Sequence, residues 1–374
     1  MQPAIVMGIM SGTSLDGADF ALCAISGARF ELLAAWRAAF PRVLQARLHA
    51  AASGAATAWE LAQVHHDLGR FYAAHARPSS RRPRAQLAGL HGQTNFHNPH
   101  RPAPATLQLG EPAYLVEKLR VPVVSNFRAA DIAAGGQGAP LATVFHVRVF
   151  GRRGRHVCVN NLGGISNVTS IDWRRGKHPE VLSFDTGPAN VLIDMAMRHF
   201  TEGRLTFDRE GRWAARGRVR EEWVRRWMGH PFFRKAPPKS TGRELFGESF
   251  FKKALALAGR RKFSKFDLIR TFTEFTARSI VESYRRHLKS RPQSVVLSGG
   301  GAANPVLVEA IRNCLRVLDP CIEMVTSVEQ GWPLQSVEPA AFAYLAWLRV
   351  RGRPGNLPET TGARAGVLCG QLSG

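Results

Sequence analysis

No apolar run in this chain approaches the roughly 18 residues that a helical membrane span requires. Cysteine is also sparse. Cys23, Cys158, Cys314, Cys321 and Cys369 are scattered, odd in number and never at CxxC spacing, which excludes a zinc ribbon and a disulfide framework. Cys23, Cys158 and Cys369 lie among apolar neighbours and are expected to be reduced core thiols. Acidic residues are few, 28 against 51 Lys and Arg, for a formal charge of +23. The arginines are spread over 152–155, 216–226, 260–261, 285–286 and 349–353, with no zinc-finger, RRM or aromatic-interleaved pattern. Specific nucleic-acid binding is therefore not expected; a solvated basic surface that attracts anionic ligands is. The chain has no Walker GxxxxGK[ST] loop, no strand-linked GxGxxG, no GxSxG elbow and no repeat of 20–50 residues. Its amino terminus carries no basic n-region, and the first short apolar run ends in a glycine turn, so a cytoplasmic protein is expected.

What the chain does contain is a pair of matched turns. Gly8-Ile9-Met10-Ser11-Gly12-Thr13-Ser14-Leu15-Asp16-Gly17 follows the apolar run Ala4–Met7, and Ser183-Phe184-Asp185-Thr186-Gly187-Pro188-Ala189-Asn190 follows Glu180-Val181-Leu182. A third turn, Ser298-Gly299-Gly300-Gly301-Ala302-Ala303-Asn304, follows Val295-Val296-Leu297. Such turns let backbone N–H groups approach phosphate oxygens with no Cβ in the way. Two phosphate turns in separate halves and a glycine shelf suggest a nucleotide held in a cleft between two lobes, the layout of a phosphotransferase. At 374 residues, two domains are the natural expectation.

Apolar patterning predicts strands at 4–10, 18–25, 30–36, 156–160, 168–171, 181–184 and 294–297. Helices are predicted at 57–77, with Leu61, Val64, Leu68 and Phe71 on one face, at 305–315 and at 338–350. A proline-broken connector is expected at 77–84, a short strand at 87–90 running into a loop at 91–99, and an interlobe region near 131–140. Three strands around glycine turns thus occur in each half, as in a duplicated α/β core.

Thr13 and Ser14 can donate to phosphate oxygens and Asp16 can orient Mg²⁺ or its waters; the same residues also fit a β-hairpin turn. Asp185 is placed at a strand end as a candidate base, or as a cap of the helix expected near Pro188. His91, His97 and His100, with Asn95 and Asn98, read as a substrate loop that includes Gln93 and Thr94, rather than as a metal site. Glu111, Arg128, Asp131 and Gln137 have the polar density that suits a sugar. Arg128 can take a carboxylate in its planar fork or salt-bridge Asp131. Lys239 touches phosphate or is an exposed loop lysine.

These residues make the chain resemble the anhydro-N-acetylmuramic acid kinases of the sugar kinase, Hsp70 and actin superfamily. The likeness runs through Met10–Gly17, His91–Thr94, Leu107–Pro112, Gly135–Leu141, Asn161–Thr169, Phe184–Pro188, Pro238–Phe246 and Pro354–Pro358. It implies a two-lobed actin-like (ribonuclease H-like) fold with a duplicated core and an interlobe cleft. The lobes are expected at 1–131 and 132–350, with 351–374 packing back on the first. It further implies ATP and Mg²⁺, an amino sugar substrate opened and phosphorylated in cell-wall turnover, and a homodimer. Asp185 would be the base that activates water. Gly12, Thr13, Ser14, Leu15, Asp16, Gly17, Ala18 and Asp19 would hold ATP phosphates, with Gly163, Gly164, Gly187, Gly299, Gly300, Gly301 and Asn304 completing the nucleotide site. Asp16 would meet the metal. His91, Gln93, Thr94, Glu111, Arg128, Asp131 and Gln137 would hold the sugar. The chain departs from the family pattern at Asn126, Thr143, Ala189-Asn190, Gln335-Ser336 and Pro339, and in its last residues. Those departures bear on metal geometry, rate and packing more than on reaction type. Two other readings are a kinase of the same fold for another sugar or acid, and a degenerate nucleotide-binding protein.

Overall fold

The computed structural model describes residues 2–12, 14–77, 82–99, 102–259 and 263–374. Thr13, His100 and part of the expected 77–84 connector lie outside them. The chain forms two compact units, Met1–Val149 with Gln335–Gly374, and Phe150–Leu334.

The first unit opens with β1 (Ala4–Ser11), β2 (Gly17–Ile25) and β3 (Phe30–Ala39), then α1 (Arg42–Ala52) and α2 (Ala58–His75). It continues with β4 (Leu87–Asn98), β5 (Ala105–Leu109), α3 (Ala113–Leu119), β6 (Val123–Ser125), α4 (Ala129–Ala133) and α5 (Thr143–Phe150). The second unit holds β7 (His156–Leu162), β8 (Ile165–Asp172), β9 (Glu180–Pro188), α6 (Val191–Phe200), α7 (Glu221–Met228), α8 (Arg243–Phe246), α9 (Glu248–Gly259), α10 (Lys265–His287), β10 (Ser294–Ser298), α11 (Pro305–Leu318) and β11 (Glu323–Thr326). The chain then returns to the first unit as α12 (Val337–Val350), α13 (Pro358–Thr361) and β12 (Gln371–Ser373).

Both sheets repeat one topology. In the first unit β3-β2-β1 is an antiparallel meander, and β4 and β6 extend it parallel to β1. In the second, β9-β8-β7 is the meander, and β10 and β11 extend it parallel to β7. This is the duplicated core of the actin-like fold, with β12 and β5 added to the first copy. The expected strands lie where apolar runs end in glycine or aspartate turns, because such runs bury both faces of a sheet. α2 buries Val64, Leu68 and Phe71 against the β1–β4 side of its unit, with Leu61 at the margin.

Two boundaries differ from expectation. Residues 132–149 and 335–350 belong to the first unit, not the second. The cause is α12, whose residues are buried nearly all round and which packs on β1, β2 and β4. Its backbone seats directly on two glycines: a Cβ at Gly8 would lie 1.8 Å from the Pro339 carbonyl, and one at Gly89 would lie 2.3 Å from the Phe342 carbonyl. Pro339 falls in the helix's first turn, where its missing N–H has no intrahelical partner to lose. Residues 91–98 are also corrected, since β4 runs unbroken to Asn98 where a loop was expected.

Candidate active site

In the first unit β1 and β2 form a β-hairpin whose turn is built around Asp16. Ser14 Oγ donates to Asp16 Oδ1 at 2.5 Å, Arg37 Nη2 lies 2.6 Å from the same oxygen, and the Phe40 amide donates to the Asp16 carbonyl. Leu15 is buried at φ 58°. Gly17 is required by packing, because a Cβ there would meet the Ala38 carbonyl at 2.5 Å. Gly12 has open space around its Cβ position, apart from Ser14 Oγ at 3.8 Å. Ala18 is fully buried, and Asp19 sits opposite Arg37 in the β2–β3 register. Asp19 Oδ1 accepts no hydrogen bond among the described residues, with Arg37 Nε 3.9 Å away. Burial first, then Asp16, push the Asp19 carboxyl up to about 6 against the pull of Arg37.

The expected sugar set is strand-borne and partly internal. His91 is the bulged residue of β4, where pairing to β1 shifts register and Gly92 takes φ 76°. Its Nδ1 donates to the Gly92 carbonyl (2.8 Å), and its Nε2 accepts from Arg128 Nε (3.1 Å) and Nη2 (2.9 Å). The ring is 3% exposed and lies 4.4 Å from the Phe342 ring. Burial and the Arg128 charge hold it neutral, its pKa well below the usual histidine value. His91 thus orients Arg128 from within a strand, where a substrate loop was expected. Arg128 Nη1 donates to the Gly138 carbonyl at 2.7 Å. Burial lowers the guanidinium to about 10, opposed by the carboxylates of Glu338 and Asp131, so it is charged at neutral pH.

Asp131 does not take the salt bridge offered to it. It is wholly buried and accepts from the Gly138 amide (2.7 Å), Asn356 Nδ2 (2.6 Å) and Thr361 Oγ1 (2.7 Å). Its carboxylate ties α4 and the 136–138 glycine turn to the returning C-terminal segment. Gln137 is anchored there by its amide, which donates to the Thr361 carbonyl. Glu111 accepts from the Ala113 amide and from His65 Nε2 (3.2 Å), whose Nδ1 takes the Gly110 amide. Gln93 is buried, its Oε1 without a hydrogen-bond partner among the described residues, beside the half-buried Thr94. His97 Nδ1 meets Thr106 Oγ1 at 3.0 Å, and no metal-holding group of three acidic, His or Cys residues occurs among the described residues.

In the second unit Asp185 lies inside β9 opposite Asn167, not at its end. Nor is it a helix cap, since the N-cap of α6 is Asn190. Its amide donates to the Lys239 carbonyl (3.1 Å), and its Oδ2 accepts from the Thr241 amide (2.8 Å). No hydrogen bond to Oδ1 occurs among the described residues. Burial, with help from Glu244, pushes the carboxyl up to about 7, while the Thr241 amide and Lys239 act in the other direction. That value suits a group that must give and take a proton near neutrality.

The glycines around it divide by cause. Gly187, at φ 137°, packs against Phe233 and Ser279, and Gly299, at φ 78°, packs against Asn161 and Leu162. Gly301 packs on Leu162 and Asn190. Packing therefore accounts for these three. Gly164 and Gly300 have nothing within 4 Å of a Cβ position, and Gly163 only the Ile165 carbonyl at 3.4 Å, so these backbones are open. The carbonyls of Gly163 and Gly164 receive the amides of Ala189, Asn190 and Val191. Asn304 caps α11, its Oδ1 accepting from the Val306 and Leu307 amides.

Sequence reasoning missed Glu338 as a charge beside Arg128, and the pairing of the buried Lys239 with the half-buried His287. Lys239 is 4% exposed rather than a loop lysine in solvent.

A duplicated α/β core, a hydroxyl- and carboxylate-bearing hairpin and a half-buried carboxyl near pKa 7 define a two-unit phosphotransferase-type chain. The profile of the anhydro-N-acetylmuramic acid kinase family matches residues 4–373, and the chain belongs to that family. The anhydro-N-acetylmuramic acid kinase of Synechocystis sp. strain PCC 6803 is 39% identical over 380 residues, 98% of this chain and 97% of that protein. The protein of that name from Microcystis aeruginosa is 38% identical over 382 residues, 98% and 99% of the two chains. Among solved structures, the activator of 2-hydroxyisocaproyl-CoA dehydratase from Clostridium difficile with bound ADPNP aligns with a TM-score of 0.44 at 12% identity, covering 93% of this chain and 96% of that one. A likeness that loose bears on neither mechanism nor ligand. Among the described residues no helix is long and apolar enough to cross a membrane.

Proposed function

We propose that this protein uses ATP to convert 1,6-anhydro-N-acetylmuramic acid into N-acetylmuramic acid 6-phosphate, in the cytoplasm, during cell-wall recycling. The observation that carries the reading is Asp185, a half-buried carboxyl with one oxygen held by the Thr241 amide and the other without a hydrogen bond among the described residues; burial pushes it up to about 7. Asp185 takes a proton from water as the water oxygen bonds to the anomeric carbon. The bond from that carbon to the bridging oxygen breaks, and the freed oxygen, now O6, takes the γ-phosphoryl group as ADP leaves. Positioning and charge neutralisation supply most of the rate in such a transfer.

In the first unit, the amides and hydroxyl of the 12–19 hairpin receive phosphate oxygens. Arg128, oriented by His91, keeps N–H donors for an anionic or hydroxyl group of the sugar, and Gln93 Oε1 is an unsatisfied acceptor for a sugar N–H or O–H. In the second unit, the open backbones of Gly163, Gly164 and Gly300 serve the nucleotide. A hydrated Mg²⁺ suits this chain: Asp16 is half-exposed and Asp19 carries a buried oxygen with no hydrogen bond. Those two carboxylates would hold it, and its charge would offset that of the transferring phosphates.

The sign of the pH dependence follows from the base role. Asp185 must be ionised, so as pH falls through about 7 the active fraction falls with it. With saturating ATP and Mg²⁺, kcat/KM for the anhydro sugar is expected to decline about tenfold per pH unit below that point. An acid limb near pH 4, the ordinary carboxylate range, would show that burial does not raise the Asp185 carboxyl, and the base role would then rest on the Asp185→Asn variant alone.

A further inference from the structure

The segment that grips Asp185 contains a buried cation that the reaction as described does not use. Lys239 is 4% exposed, and its Nζ donates to His287 Nε2 at 3.1 Å and to the Phe232 carbonyl at 3.4 Å. The ammonium lies 4.6 Å from the centroid of the Phe232 ring and 5.6 Å from that of Phe184, the residue before Asp185. His287 is the last residue of α10 and packs edge-on against Phe184 at 5.5 Å. Its ring accepts from Lys239 and bonds to the Phe233 backbone, so burial and the lysine together keep it neutral. Meanwhile the Lys239 main chain accepts from the Asp185 amide, and Thr241, two residues on, donates to the Asp185 carboxylate. One residue therefore anchors the gripping segment through its side chain and meets Asp185 through its backbone. Anchoring alone does not require a charge: methionine would fill the same aromatic slot at lower desolvation cost. What lysine adds is a positive charge 5.6 Å from the ring of Phe184, on a residue whose carbonyl takes the Asp185 amide, beside a carboxyl that burial disfavours in its charged form.

We propose that Lys239 is the positioning residue of Asp185, seated by His287 and Phe232 so that its ammonium and the Asp185 carboxyl titrate as a coupled pair. The catalytic meaning of the pair rests on Asp185 being the base; the coupling itself does not. The other charges facing the pair are Lys235 and Glu244 from the same stretch of chain, and Arg286 and Glu282 from α10. Burial, Arg286 and Lys235 bring Lys239 down to about 8, so it is still charged where Asp185 ionises, and Asp185 acts to hold it up. Such coupling is reciprocal: each partner moves the other's midpoint.

The test is a pair of titrations on the full-length protein without sugar. The Asp185 carboxyl is followed by carbon NMR in wild type and Lys239→Met, and the Lys239 side chain in wild type and Asp185→Asn. Removing the ammonium is expected to raise the Asp185 midpoint by roughly one unit. Removing the carboxylate is expected to lower the Lys239 midpoint, a readout that survives if Lys239→Met fails to fold. In activity assays the acid limb of Lys239→Met moves up with the Asp185 midpoint. A uniform loss of rate with an unmoved limb, or a Lys239 midpoint indifferent to Asp185→Asn, overturns the proposal and leaves a merely structural lysine. If wild-type protein leaves the anhydro sugar unreacted while the midpoints still move together, the base assignment fails and the coupled pair stands.

Discussion

Asp185→Asn lowers turnover by about 10²–10⁴-fold while leaving ATP and sugar binding close to wild type. Asparagine matches aspartate in size and can still present an oxygen to the Thr241 amide, 2.8 Å from Oδ2 in the wild-type chain. The Asp185 amide bond to the Lys239 carbonyl does not involve the side chain at all. What asparagine cannot do is accept a proton from water. The expected signature is therefore a fall in kcat with KM little changed, the pattern of an interaction made in the transition state. Steady-state kinetics over a range of sugar concentrations, with calorimetric titration of a non-hydrolysable ATP analogue, separate the two quantities. Near-normal turnover in the variant would take Asp185 out of the base role.

Asp131→Ala is expected to act on stability rather than on substrate. The wild-type carboxylate is fully buried and accepts from three donors on two separate stretches of chain: the Gly138 amide, and Asn356 and Thr361 of the returning C-terminal segment. Alanine removes three hydrogen bonds to a charged acceptor and leaves buried donors unpaired, at a cost of about 3–5 kcal/mol. A Cβ at Gly136 would lie 2.2 Å from Asp131 Oδ2, so the turn packs directly on the carboxylate that alanine removes. Chemical denaturation should show the lowered midpoint, and any residual folded fraction should bind sugar with an affinity within a few-fold of wild type. A folded, equally stable variant with a greatly raised KM would instead return Asp131 to the sugar site.

The parts of this fold that were legible in the sequence are those specified locally. β1, β2, β7 and β10 are apolar runs cut off by glycine turns, while β9 continues past Asp185 to Pro188, and α2 carries a helical stripe through Val64, Leu68 and Phe71. The three-residue strands β6 and β12 and the one-turn helix α13 are too short for any periodicity, and exist because neighbours pair with or cap them. Unit membership of α12 was hidden for a related reason. Its place depends on the missing side chains of Gly8 and Gly89, more than 240 residues upstream by the numbering. The site divides along the same line. Asp185 and Arg128 could be singled out from residue type and context, whereas the roles of their neighbours depend on who faces whom. His91 became a support for Arg128, Asp131 a structural tie, Asn304 a helix cap and Lys239 a buried cation only once long-range partners were in place.

The departures from the family pattern have local accounts as well. Asn126 sits at φ 52°, which asparagine tolerates better than most residues, and donates to Gln371 on β12. Thr143 is buried and donates to the Pro140 carbonyl, and the Ala189 carbonyl accepts from Thr276. None of these three residues takes part in the bonds that hold Asp185 or Arg128.

The central claim, that one event couples water attack at the anomeric carbon to phosphorylation of the released oxygen, is tested most directly by mass spectrometry. The reaction is run with ATP, Mg²⁺ and 1,6-anhydro-N-acetylmuramic acid in heavy-oxygen water, and analysed before the anomeric oxygen can exchange. The expected product is a monophosphorylated sugar with one solvent oxygen at the anomeric position and none in the phosphate. Unreacted sugar in the presence of folded, ATP-binding protein, or a phosphorylated product that retains the intact anhydro bridge, would contradict it.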